Sequence, residues 1–539
     1  MTITKSLINS HVVCLATFLL LTQLLSADSH PDNWLNHGGD LHNRRYASSE
    51  RKISPINVHN LKLKWKFEAK RDITATPSIY DGVIYFPSWD GYIYAIKSLD
   101  GSLIWKQFIQ EVTGIQSPGF VVNVNVTVAR ASPTIVPDKG IIIIGIYGPS
   151  YVIGLRIKDG SLAWMTKLDN HNSSFITMSG TYYKGAFYVG VSSQEEENNI
   201  EECCTFRGSF VKLDAKTGSI LWKTFMLPDN NGKRGEYAGA AIWGSSPSID
   251  TARNLVYIAT GNLYSAPQHV RDCQVEENNQ AFPSHGDECV EPDNHSESFL
   301  ALCLETGKIK WNRQLGGYDV WFFACNNLTS SPSCPPGPNP DADFGQAPML
   351  LTADINGSRR DIVAATQKSG FTWALDRDNG DLLWTTEAGP GGLSGGGTWG
   401  SATDEKRIYT NIANSDHLTF VLKPSNLTSN VGGWVAMDSS TGKVLWSTSN
   451  PSNASSNGPV TVANGIVFAG STNGKTGPVY AMDAKRGNIL WSFETGATVF
   501  GGVSVSDGCV YLGNGYKVGI GSFNPTFTSG KTLFAFCIY

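Results

Sequence analysis

Apolar and polar residues alternate along Val211–Phe225, VKLDAKTGSILWKTF, and the alternation turns at a Thr-Gly pair. This is the signature of two half-buried strands joined by a tight turn whose Gly supplies a positive φ. The phrase returns at Val479–Phe493 as VYAMDAKRGNILWSF. Aligned on its terminal Trp it occurs seven times, unequally spaced, ending at Trp105, Trp164, Trp222, Trp311, Trp384, Trp446 and Trp491. Upstream of most copies lies another strand pair, such as ATPSIYDGVIYFPSWDGYIYAI, hinged at Asp81-Gly82. Four strands per repeat, arranged radially, make a propeller blade.

An eighth copy is split. VSVSDGCVYLGNG and KTLFAFCIY supply three strands and no terminal Trp, whereas LKLKWKFEA near the start holds Trp65 in the matching place. The reading is all-β: an eight-bladed β-propeller of four-stranded antiparallel blades, closed by an N-terminal strand that completes the last blade and leaves no exposed edge. The eight Trps would pack between neighbouring blades. One ring over 28–539 replaces the three or four domains that the chain length would otherwise suggest.

Composition narrows the setting. The chain has 539 residues, 17% of them charged, and a formal charge of -5 with no basic run, which argues against a nucleic-acid partner. Residues 1–27 follow signal-peptide grammar: Lys5, an apolar run from Val12 to Leu25, then Ser26 and Ala27. The run is short for a membrane anchor and is interrupted by Thr17, Thr22 and Gln23. No span is expected once the signal is removed. Seven Asn-x-Ser/Thr sequons, at Asn125, Asn172, Asn294, Asn327, Asn356, Asn426 and Asn453, imply a glycosylated, secreted protein. Without Cys14, nine cysteines remain, enough for several disulfides and one odd thiol; Cys273 with Cys289 and Cys325 with Cys334 are short-loop candidates. Nothing signals an obligate oligomer, and a monomer is expected.

The spacing of A-x-D-x-x-T-G-x-x-x-W, with eight blades, resembles that of the quinoprotein alcohol dehydrogenases that use pyrroloquinoline quinone. The opening NWLNHGGDLHNRRYA also resembles that family's W-x-x-x-G-x-D-x-x-x-x-R-Y, and CCTFRGS and QKSGFTWALDR are similar to its polyvinyl-alcohol-dehydrogenase-like branch. The resemblance implies a quinone in the central channel with Ca2+ beside it, an alcohol or polyol as substrate and an external electron acceptor. No C-x-x-C-H for haem attachment occurs, and no G-x-G-x-x-G opens a helix.

Carried over residue by residue, the resemblance implies Trp243 as the stacking floor and Glu195 and Asn262 as oxygen ligands of the metal, with Glu196 one residue away as the other choice. It places Arg130 and Lys368 against the quinone's carboxylates and oxygens, with Thr177 as a further contact. A Lys in an apolar strand-turn segment is costly unless paired. Trp399, in LSGGGTWGSATDE, is expected near the second face of the ligand. Cys203-Cys204 stands on a different loop from the family's adjacent pair: it either caps the quinone from there or each Cys bridges elsewhere. The family's catalytic Asp aligns in GGYDVWFFACN with Phe322, which can neither take a proton nor bind metal. Asp319 is then the nearest candidate base. This departure supports a rival reading, a propeller that has lost quinone redox and binds a small molecule or catalyses a non-oxidative reaction in the same channel, as does an uncertain supply of the quinone in a eukaryotic secretory pathway. A purely structural module is disfavoured because Trp243, Glu195, Asn262 and Lys368 all persist.

Overall fold

The computed structural model describes residues 33–538 apart from 117–123, 245, 279–288, 290, 318, 326–340 and 347. The expected signal segment and Asn327 and Cys334 therefore lie outside the described residues. Eight sheets built on four antiparallel strands make the blades; two carry a fifth short strand, Ser174–Phe175 in the third and Tyr46–Ala47, paired parallel, in the seventh. Blades 1 to 7 span 78–108, 134–167, 181–225, 248–314, 349–387, 402–449 and 461–494. Blade 8 combines three strands from 504–537 with Lys62–Glu68, which pairs antiparallel with Thr532–Cys537. The N-terminal strand thus closes the ring as the split repeat requires.

The eight repeat tryptophans explain why the phrase recurs. Each indole N–H donates to a carbonyl of the next blade: Trp65 to Ser98, Trp105 to Ile157, Trp164 to Ala215, Trp222 to Leu304, Trp311 to Arg377, Trp384 to Ser439, Trp446 to Ala484 and Trp491 to Leu61, at 2.9 to 3.2 Å. The last of these joins blade 7 to blade 8. In all eight outer hairpins the strand register slips at the residue just before the Trp, a bulge that re-aims the indole toward its neighbour.

The turn glycine of the receiving blade lies flat against that indole. Gly218 has φ +77°, and a Cβ there would come within 2.4 Å of the Trp164 ring. Gly218→Ala therefore combines left-handed strain with a clash at a blade seam, and a loss of about 2 kcal/mol or more is expected in a urea melt. An unchanged midpoint would show that the seam yields freely.

The segment 34–46 runs across one end of the ring. Its carbonyls at Leu35, Leu41, His42, Arg44 and Arg45 accept from Ile135, Ile249, Leu350, Thr403 and Val462, residues of five different blades. Arg45, fully buried, donates further to Val460 O and Thr461 Oγ1. Cysteine pairing matches the sequence where it can be followed. Cys273 bonds Cys289, Cys203 bonds Cys204, and Cys325 is disulfide-bonded. Cys509–Cys537, a cross-strand pair in blade 8, was not anticipated, and Cys303 is the free thiol among the described residues. No described helix is long and apolar enough to cross a membrane.

Candidate active site

The chemistry-bearing residues sit on loops: Arg130, Thr177, Trp243 and Trp399 on connections between blades, and Glu195, Glu196, Asn262 and Lys368 on connections between strands of one blade, where backbone is freed from the sheets. Trp243 lies on the connection into blade 4. Its ring meets Trp399 edge-on at 5.2 Å, Lys368 Nζ stands 5.3 Å from its centroid, and its indole N–H donates to Asp343 Oδ2 at 2.5 Å. Thr177 Oγ1 donates to the Trp243 carbonyl at 2.9 Å, and the Arg130 guanidinium lies 4.2 Å from the Trp399 ring. Arg130, Thr177, Trp243, Lys368 and Trp399, widely separated in sequence, therefore form one connected group. Two glycines keep room for it. A Cβ at Gly345 would come within 2.6 Å of the Trp243 ring, and one at Gly261 within 2.9 Å of Asp343 Oδ2.

Lys368 is the hub of the electrostatics. Its ammonium pairs with both oxygens of Asp341 at 2.9 Å and with Asp343 Oδ1 at 2.8 Å. Burial works against its charge, but Asp341, Asp343 and Glu196 outweigh burial and raise its pKa. Five carboxylates gather here, those of Glu196, Glu297, Asp319, Asp341 and Asp343, around this one ammonium. Burial pushes Glu196 up to about 8 against the pull of Lys368, with Asp343 adding to the rise and a Tyr264 hydrogen bond resisting it. Asp341 is raised well above the usual carboxylate range by burial, Lys368 opposing, and Glu297 by burial and then by Asp319, Asp343 and Asp341. Glu297 Oε1 is buried without a hydrogen-bond partner. So much buried negative charge around one lysine is the environment of a hard cation with oxygen ligands.

Glu195 and Asp319 are engaged by backbone groups of nearby loops. The Glu195 oxygens accept the N–H groups of Thr205 at 2.8 and 2.9 Å and Phe206 at 2.7 Å, and His171 Nε2 approaches to 3.3 Å. The next residue, Glu196, is the one that interacts with Lys368, Asp343 and Tyr264. Asp319 is likewise committed, accepting the backbone N–H groups of Ala342 at 2.5 Å and Asp341 at 3.3 Å, so it props the turn that carries Asp341 and Asp343. Burial lifts it to about 6, those N–H groups resisting. Phe322 stands on a cleft wall with Ile200, Cys203, Cys204, Tyr264 and Arg271, around a cavity of about 370 Å³. Asn262 is buried; its amide nitrogen donates to Trp321 O at 2.8 Å.

Sequence reasoning missed Asp341 and Asp343. The signal was present in PDADFGQAPM, two carboxylates just ahead of an apolar strand that opens a blade.

Fold and site together define a propeller enzyme with an aromatic floor and an acidic, lysine-bridged pocket. The chain belongs to the glucose/ethanol/alcohol dehydrogenase β-propeller family, whose model matches residues 34–392. A second match, over 368–520, is to the outer membrane protein assembly factor BamB. The chain is 29% identical to a polyvinylalcohol dehydrogenase of Pseudomonas sp., over 90% of this chain and 74% of that one. It is 27% identical to a polyvinylalcohol dehydrogenase of Sphingopyxis sp., over 90% and 73%. Among solved structures, the quinohemoprotein alcohol dehydrogenase from Comamonas testosteroni superposes with a TM-score of 0.70 at 20% identity, covering 94% of this chain and 80% of that one, a likeness of fold. Family membership supports an oxidoreductase of the alcohol dehydrogenase type.

Proposed function

We propose that this chain oxidises an alcohol or polyol with pyrroloquinoline quinone and Ca2+ held in the central channel. The observation that carries the reading is the Lys368-bridged pair Asp341 and Asp343 set against Trp243. Trp243 offers the flat apolar surface, and Arg130 and Thr177 the polar contacts around it. Glu196, Asn262 and Asp343 are the oxygen ligands for Ca2+; Asp343 is the carboxylate beside Gly261, next to Asn262. Residues at this site would hold pyrroloquinoline quinone and Ca2+, which when bound would supply a hydride acceptor and a Lewis acid. Asp341 would take the substrate's hydroxyl proton; burial raises its pKa and Lys368 opposes the rise. Lys368 holds that carboxylate in place and balances its charge. The cleft walled by Cys203, Cys204, Tyr264 and Phe322 admits the alcohol. Electrons leave to an external acceptor.

The rival reading, in which quinone redox is lost, rested mainly on Phe322; a supply of carboxylates from 341–343 removes that support.

An absorbance titration with the quinone and Ca2+ tests the reading directly: a bound-quinone spectrum that requires Ca2+ is expected, and no uptake at saturation sinks it. Calcium binding by itself also carries a pH signature. Because Glu196 holds its proton up to about 8, Ca2+ must displace that proton at lower pH. Calorimetry should find affinity rising by up to about tenfold per pH unit from 6 toward 8, then levelling. A flat profile speaks against Glu196 as ligand.

The chain is further read as a secreted glycoprotein acting as a monomer. Asn125, Asn172, Asn356, Asn426 and Asn453 are exposed, whereas Asn294 is buried and its side chain accepts the Ser296 N–H. Glycopeptide mapping after secretion from a eukaryotic host should find the five exposed sites occupied and Asn294 bare. Glycan on Asn294 would contradict its packing.

A further inference from the structure

We infer that Glu195 is a positioning residue that clamps shut the loop presenting Glu196 to the carboxylate cluster. This rests on the reading of Glu196 as a calcium ligand. The loop leaves strand Ala186–Ser193, makes one helical turn at Glu195–Glu197 and returns to strand Ser209–Asp214. Neighbouring residues on a single turn point different ways, so when one glutamate faces the channel the other must face the loop's own return limb. Glu195, 2% exposed, does so and spends both oxygens there. Oε1 and Oε2 accept the Thr205 N–H, Oε2 also takes the Phe206 N–H, and the Thr205 hydroxyl reaches Oε1 at 3.3 Å.

The clamp is backed from outside the loop. His171, on the preceding blade-to-blade connection, sits 3.3 Å from Glu195 Oε1, meets Thr205 Oγ1 at 3.1 Å, and packs its ring edge-on to Phe206 at 5.7 Å. The turn's start is held as well, by the Glu195 N–H on Ser193 Oγ at 2.9 Å. Between the two clamped ends lie Asn199, whose side chain accepts the N–H groups of Glu201 and Glu202, and the bonded pair Cys203–Cys204. One buried carboxylate therefore ties residue 195 to 205 and 206 and holds Glu196 toward Lys368 and Asp343 and the disulfide at the cleft wall. Charge-assisted hydrogen bonds from backbone N–H groups are short and strong, which suits a loop that must hold a metal ligand in place. With its oxygens so used, Glu195 has no face left for a cation.

The test uses the full chain and Ca2+ alone as probe. In the wild type, the Thr205 and Phe206 amides should exchange slowly with deuterium although they lie in a loop; rapid exchange of both overturns the clamp without any variant. Glu195→Gln places an amide NH2 among those donors. It should lose that protection and weaken Ca2+ binding by about 10- to 100-fold. Its kcat, once Ca2+ is raised to saturation, should return to within about twofold of wild type. Glu195→Asp, which keeps the charge on a shorter stem, should fall between the two and serves if the Gln variant does not fold. Unchanged Ca2+ affinity in both variants overturns the positioning role. A kcat that saturating Ca2+ does not restore overturns it too, since Glu195 would then be part of the reacting site. Glu196→Gln separates the two readings: if that variant binds Ca2+ like wild type, the ligand assignment fails, while the exchange measurement still decides the clamp.

Discussion

Asp341→Asn is expected to lower kcat by about 10²- to 10⁴-fold in enzyme loaded with quinone and Ca2+, the range that a positioned general base contributes. The substitution keeps shape and leaves an amide that Lys368 can still approach, but it removes the carboxylate proposed to accept the hydroxyl proton. Quinone uptake, read by absorbance, should persist, because the floor at Trp243 and the ligands Glu196, Asn262 and Asp343 are untouched. Asp319→Asn makes the contrast. That carboxylate accepts two backbone N–H groups, so its loss should act through a displaced 341–343 turn, with a smaller fall in kcat. If Asp341→Asn turns over at the wild-type rate, the base lies elsewhere; if Asp319→Asn is the more damaging of the two, Asp319 is the base.

The second large effect concerns stability. Lys368→Met removes the one ammonium from among five carboxylates while keeping the length and apolar body of the side chain. Asp341 and Asp343, both almost fully buried, lose their partner. Breaking a buried ion pair from one side costs about 3–5 kcal/mol, because the remaining charge is left uncompensated. The loss should depend on pH in a definite direction. Without Lys368 the folded-state pKa of Asp341, already raised by burial, rises further above its unfolded value, so the folded variant binds more protons and its stability falls as pH increases. Urea melts should therefore show a large deficit at pH 8 that shrinks toward pH 5 as Asp341 takes up its proton. Ca2+ should restore part of it at pH 8. A deficit independent of pH would mean that the lysine matters for packing and not for charge.

The propeller was readable because its information is local and repeated. Period-two alternation, a turn glycine and a terminal Trp recur in every blade, and each feature has a short-range cause. The split eighth copy was readable for the same reason, since a blade lacking its Trp strand and a Trp strand lacking its blade can satisfy each other in one way. Trp243, Arg130, Thr177, Lys368 and Trp399 were also found from short motifs, and they do meet in space. Phe322 shows the opposite case. Its position in the loop was followed, yet the carboxylates arrive from 341–343, on the far side of a long connection whose course no local pattern specifies.

By itself the amino-acid sequence determined the strand pattern, the number of blades, the seam tryptophans and the way the ring closes, because strand pairing and turn chemistry act between near neighbours. Only the tertiary structure decided that Glu196 meets the field of Lys368 while Glu195 accepts loop N–H groups, and that Asp341 and Asp343 pair with Lys368 while Asp319 accepts backbone N–H groups. Those choices turn on where a loop's backbone N–H groups and a single distant ammonium come to rest, and loops from blades far apart in the chain must close around them before either is settled.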